Sequence, residues 1–182
     1  MKTKNAIIIS ILYLNINLLF GQGIVKRQTY STNLEAYVGV WENVTANYSF
    51  KIYLKIGTKD TKVSFGSCLI GDYFYSQNSM IFDTYSVSNI PIIFNDLSRK
   101  SVIIYASNGK YESVSYSNPN ELNMIFYDKQ RKKRVYNGKI QLVSPTQIRW
   151  LLEDDEGDCD IENWVEPGFS VPTNIIMTKI GI

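Results

Sequence analysis

The stretch Tyr48-Ser49-Phe50-Lys51-Ile52-Tyr53-Leu54-Lys55-Ile56 decides the fold. Tyr48, Phe50, Ile52, Leu54 and Ile56 fall on one face, and Ser49, Lys51, Tyr53 and Lys55 on the other. A period of two with one apolar and one wet face belongs to an antiparallel strand. Working outward, similar β-rich runs follow at 62–66, 68–76, 80–87, 101–106, 111–116, 122–127, 134–143, 147–153 and 172–179. Turn chemistry separates them at 57–60, Gln77-Asn78, Asn108-Gly109, 117–120, Ser144-Pro145 and Glu156-Gly157-Asp158. Asn108-Gly109 is the sharpest of these, because a two-residue type I′ hairpin needs positive φ at both central positions. No stretch beyond residue 22 holds a helical period for ten residues or more. The expectation is an all-β fold, a single antiparallel up-and-down barrel; a two-layer β-sandwich is the alternative, since it produces the same alternation and the same turns.

Ahead of the β-rich runs, Lys2 and Lys4 precede an apolar stretch from Ala6 to Phe20, which turns polar at Gly21 and Gln22. That order is a charged n-region, an h-region and a cleavage site. The apolar stretch is interrupted by Asn15 and Asn17 and falls short of the ~20 residues of a permanent span. Residues 1–21 therefore read as a signal peptide, 22–36 as a polar leader and 37–182 as one antiparallel β domain, secreted or periplasmic, with no membrane span after cleavage. The segment 34–38 reads as a brief helical turn or a first strand. The whole chain has 19 Lys and Arg against 17 Asp and Glu, and the excess is Lys2 and Lys4. A mature chain of balanced charge has no global field to draw in nucleic acid.

Histidine is absent. That removes the usual general base, the Ser-His and Cys-His nucleophile pairs and the commonest zinc ligand. No metal and no cofactor are expected, and the reading leans away from an enzyme. A hydrolase would have to run on acids such as Asp72, Glu112 or Asp128, drawn together with perturbed pKa values. The acidic run 153–160 lacks the ligand spacing of an EF-hand loop and reads as a solvated hairpin tip. The cluster Lys129, Arg131, Lys132, Lys133 and Arg134 likewise reads as a charged turn. Cys68 and Cys159 form an even pair, a candidate disulfide in an oxidising compartment. Two buried thiols are the other reading.

Gly39-Val40-Trp41 stands at the entry of the first long strand and resembles the Gly-x-Trp motif that opens lipocalin-like (calycin) barrels, where the Trp packs across a closed base. Longer segments carry a second resemblance: 37–41, 68–75, 147–152 followed by Glu156-Gly157, and 171–179. Together they resemble a family of small secreted proteins of Bacteroidota-type bacteria whose domain has no known function. The resemblance implies an envelope or secreted location and a compact β domain, and it carries no catalytic residue over.

Functionally, these observations lead to a non-enzymatic barrel that binds a small hydrophobic ligand or an envelope protein. An interior cavity would be lined by Tyr48, Phe50, Ile52, Leu54, Tyr73, Tyr75, Phe126 and Trp150; otherwise the same eight residues are simply the core. In the second case the protein is a structural or interaction protein of the envelope that recognises through its loops.

Overall fold

The computed structural model describes residues 26–96, 101–111, 118–153 and 168–181. Among them the alternating segments form β1 (Arg27–Tyr30), β2 (Gly39–Val44), β3 (Tyr48–Asp60), β4 (Ser64–Gln77), β5 (Met80–Asp83), β6 (Ile93–Phe94), β7 (Ile104–Ser107), β8 (Lys110–Tyr111), β9 (Glu121–Asp128), β10 (Lys133–Ser144), β11 (Gln147–Leu151) and β12 (Asn174–Gly181). Eight of these, β2, β3, β4, β7, β9, β10, β11 and β12, follow one another around a ring, each antiparallel to the next. β12 returns to β2, with Thr178 opposite Glu42 and Lys179 opposite Trp41. That last ladder closes the sheet and separates the barrel from the sandwich, whose two sheets would have left both edges open.

The period-two faces sort as the alternation requires. Phe50, Ile52 and Leu54 of β3, Leu69 and Tyr73 of β4, Leu122, Met124 and Phe126 of β9 and Trp150 of β11 all point inward and are fully buried. On the outer wall, Cys68, Ile70 and Tyr105 form a second cluster covered by Ile90, Phe94 and Val102. Cys68 thus faces away from the barrel interior, and burial pushes its thiol up to about 12. Its expected partner Cys159 lies outside the described residues, as do the signal peptide, Glu112 and the acidic run beyond Glu153.

A 3-10 turn, Leu34–Tyr37, crosses the base of the barrel with Leu34 and Tyr37 buried. The fully buried Trp41 donates its indole N–H to the Tyr37 carbonyl at 2.8 Å, and the Lys179 ammonium lies 5.1 Å above its ring. Gly39 is required beside it: at φ 129° a Cβ would stand 2.4 Å from the Gly181 carbonyl oxygen. The Gly-x-Trp pair therefore packs the last strand and the base turn against the first long strand.

Several local readings change. Residues 57–60 are not a turn but the end of β3, and β4 runs unbroken from Ser64 through the expected break at Ser67. The strand survives this turn-like composition because both of its edges are paired: Gly57 to Asp60 face Cys68 to Phe65, and Thr58-Lys59 face Ile93-Phe94 of β6. Asn108-Gly109 is not a type I′ hairpin, since β8 pairs with β1 rather than with β7. Asn108 is buried instead, its amide bonded to Thr32 and to the Asn118 carbonyl, so it fastens the leader to the base. Positive φ at two consecutive residues occurs at Asn78 and Ser79, in the tight turn between β4 and β5.

Candidate functional site

The eight residues expected on the inner face do come together in one cluster, with Tyr48 only half-buried at its edge. Their rings touch one another. Trp150 meets Phe50 and Phe126 edge-on at centroid distances of 5.4 and 5.3 Å. Phe126 meets Tyr73 at 5.2 Å, and Phe50 meets Tyr73 and Tyr75 at 5.9 and 6.2 Å. Such tilted and edge-to-face pairs are the arrangement that aromatic quadrupoles favour. These rings pack against each other through the half of the barrel remote from the base, and Trp150 further donates its indole N–H to the Pro172 carbonyl at 3.0 Å.

A polar ring closes that same end. Asp128 is fully buried, and its carboxylate accepts from the backbone N–H groups of Gln130, Arg131 and Ser170 as well as from the Ser170 hydroxyl. The Lys129 N–H donates to the Tyr73 hydroxyl oxygen at 3.0 Å, and that hydroxyl donates to Asp83 Oδ2 at 3.1 Å. Lys129 Nζ lies 2.6 Å from Asp72 Oδ1, bonds the Thr84 carbonyl and sits over the Tyr73 ring. Burial raises the Tyr73 hydroxyl and the Asp83 carboxyl above their ordinary values, and the Asp83 and Asp128 charges raise Tyr73 further. Two of the acids considered for hydrolysis, Asp72 and Asp128, are therefore drawn to one end, where one is ion-paired and the other holds a turn. Part of the basic turn is also used within the protein. Arg134 stacks on Tyr127 and donates to the Val102 carbonyl, and Lys133 lies over Phe169.

The second apolar surface lies beyond the base. Gly39, the first residue of β2, faces Leu54, so β3 and β4 run on past the barrel without β2 beside them. β6 takes the free edge of β3 and β1 that of β4, both in parallel register. This extension has two faces. Its outer face is covered by Phe94 and Ile90 over Cys68 and Ile70. Its inner face continues the period of the barrel interior through Ile56, Thr58 and Asp60 on β3, Phe65 on β4 and Ile93 on β6. There Ile56, Phe65 and Ile93 stay 41, 39 and 44 % exposed, and the neighbouring Ile92 65 %. They line an open groove of about 670 Å³ with Lys26 and Asp60, which form an ion pair at its rim. Sequence reading placed Ile56 and Phe65 in strands but gave Ile92 and Ile93 no element. The usable signal was the apolar run Ile92-Ile93-Phe94 directly after Ile90-Pro91, bounded by polar residues on both sides.

Closure, ring-packed interior and outer groove define a small antiparallel β-barrel protein with an open apolar groove outside the barrel. The chain belongs to DUF6705, a family of unknown function whose model matches residues 1–180. No curated protein and no solved structure matches it.

Proposed function

We propose that this protein is a non-enzymatic binding protein working outside the cytoplasm, and that it holds a small apolar ligand in the groove formed by β3, β4 and β6. The groove carries the reading. Its volume lies within the range of about 300–1,000 Å³ occupied by small-molecule sites, and its walls are mainly aliphatic and aromatic with a few polar groups at the rim. Leaving four large apolar side chains together in water costs hydrophobic free energy that a ligand would recover. The reading also agrees with the carboxylates at the opposite end being consumed by structural bonds, and the extracytoplasmic location rests on the charged-apolar-polar order of residues 1–22.

The test is fluorescence titration of the mature protein with a neutral apolar naphthylamine probe. The expected result is saturable one-to-one binding that is lost in the double variant Ile56→Ser/Ile93→Ser, with near-UV circular dichroism unchanged. Undiminished binding by a folded double variant would remove the groove from the reading.

A further inference from the structure

We infer that the groove is held in shape from the opposite face of the sheet: segment 90–96 is a clip astride the edge of β3, and Lys55 and Phe94 are positioning residues that keep its wall residues Ile92 and Ile93 in place. This concerns the regulation of the groove proposed above and rests on that reading. The segment passes from one face to the other and back within five residues. Ile90 and Phe94 lie on the outer face, in the buried cluster over Cys68 and Ile70, whereas Ile92 and Ile93 line the groove. Pro91 stands at the first crossing, where a residue without an N–H leaves no donor to be paired.

The backbone ties of the clip run to β3. The Thr58 N–H donates to the Ile92 carbonyl at 2.8 Å, and Thr58-Lys59 pair with Ile93-Phe94. Its side-chain ties lie on the outer face. Lys55, opposite Ile70 on that face, donates its ammonium to the Ile90 carbonyl at 2.7 Å. The buried Phe94 ring packs on Tyr105 with centroids 4.3 Å apart. Ile92 and Ile93 are both exposed, so little buried surface on the groove side secures them. The wall that a ligand would rest on is thus pinned by side chains that a groove ligand does not touch. When a pin is removed the clip lifts from β3, and the wall moves with it. A two-residue strand with so much of its surface in water belongs to the low-stability end of a structure.

Linkage gives a second consequence. Cys68 lies under Ile90 and Phe94, and burial pushes its thiol up to about 12, so it reacts when the clip lifts. A ligand resting on Ile92 and Ile93 favours the seated clip. It therefore protects a thiol on the far face of the sheet, by the same factor by which lifting the clip weakens binding.

The experiment uses the mature protein carrying Cys159→Ser, which leaves Cys68 as its one cysteine, and the neutral naphthylamine probe. Lys55→Met and Phe94→Leu should each weaken probe binding by about five-fold or more, the lower end of typical coupling between sites. Lys51→Met, on the same face but paired with Glu42, should leave binding unchanged. Saturating probe should slow the labelling of Cys68 by an aromatic disulfide reagent, and Lys55→Met should speed it. The labelling rate should rise only shallowly with urea, as a local opening does. Undiminished probe affinity in both variants, labelling that the probe leaves unchanged, or a urea slope as steep as that of global unfolding overturns the clip while the groove reading stands. A parent protein that binds no probe overturns the groove reading and the clip with it.

Discussion

Leu54 and Ile56 sit two residues apart on the same face of the same strand, yet one is fully buried and the other 41 % exposed. Within the barrel, the face carrying Phe50, Ile52 and Leu54 meets seven other strands arranged around it, and each side chain finds partners on all sides. Past the base the same face continues on a ribbon widened only by β6 and β1, and nothing among the described residues closes over it. Apolar residues continue past that boundary, since Ile56 and Phe65 are as apolar as Ile52 and Leu69, although Thr58, Asp60 and Ser67 now share the face. What changes is the curvature and completeness of the sheet. A closed sheet turns its inner face into a core, and an open extension of the same sheet turns it into a groove.

The largest way to test this contrast lies on the closed side. Trp150→Ala removes the ring that joins Phe50 to Phe126 and the indole bond to Pro172, leaving a cavity that the closed sheet resists filling. Urea unfolding is expected to show a loss of about 3–5 kcal/mol. A loss under 1 kcal/mol would mean the rings are loosely packed and that ligand space exists inside the barrel after all. The next effect probes the partition between the two regions. Tyr37 is buried in the base turn, its hydroxyl donating to the Pro119 carbonyl, and burial pushes it up to about 12. Between about pH 10 and 12 the unfolded chain releases this proton while the folded chain keeps it. Stability therefore falls as pH rises, by on the order of 2–3 kcal/mol from this group at pH 12. Tyr37→Phe should lose that part of the alkaline decline, read as the difference between the two stability profiles; identical profiles would place the hydroxyl in contact with water.

Much of the closed side was legible in the sequence because strand alternation is local. The eight inner-face residues from Tyr48 to Trp150 converge on one cluster since each obeys a period of two along its own strand. Closure itself was not legible, because the ladder of β12 on β2 joins residues about 140 apart and a sandwich would show the same pattern. The extension was misread for a related reason. Gly57-Thr58-Lys59-Asp60 has the composition of a turn, and only pairing on both edges, including the distant Ile93-Phe94, keeps it extended. Asn108-Gly109 shows the same override: a local hairpin signal gives way to a buried side chain that bonds the leader. The groove was hidden because it takes residues from three separated segments, one of which had no periodic signal at all.

Ile56→Ala gives the smallest effect and the finest test of the contrast. Two residues earlier, Leu54→Ala should cost about 2–5 kcal/mol, the range for a fully buried aliphatic side chain that leaves a cavity. Ile56 has already left much of its surface in water, and removing its outer carbons opens a groove wider instead of creating a void. Its truncation should cost about 1 kcal/mol, with the denaturant slope unchanged because the surface exposed on unfolding barely differs. The same substitution should weaken binding of the neutral naphthylamine probe several-fold, so that stability and binding separate at this position. If Ile56→Ala instead costs as much as Leu54→Ala, something covers the extension in solution. The groove would then be an internal contact of the chain rather than a site open to a ligand.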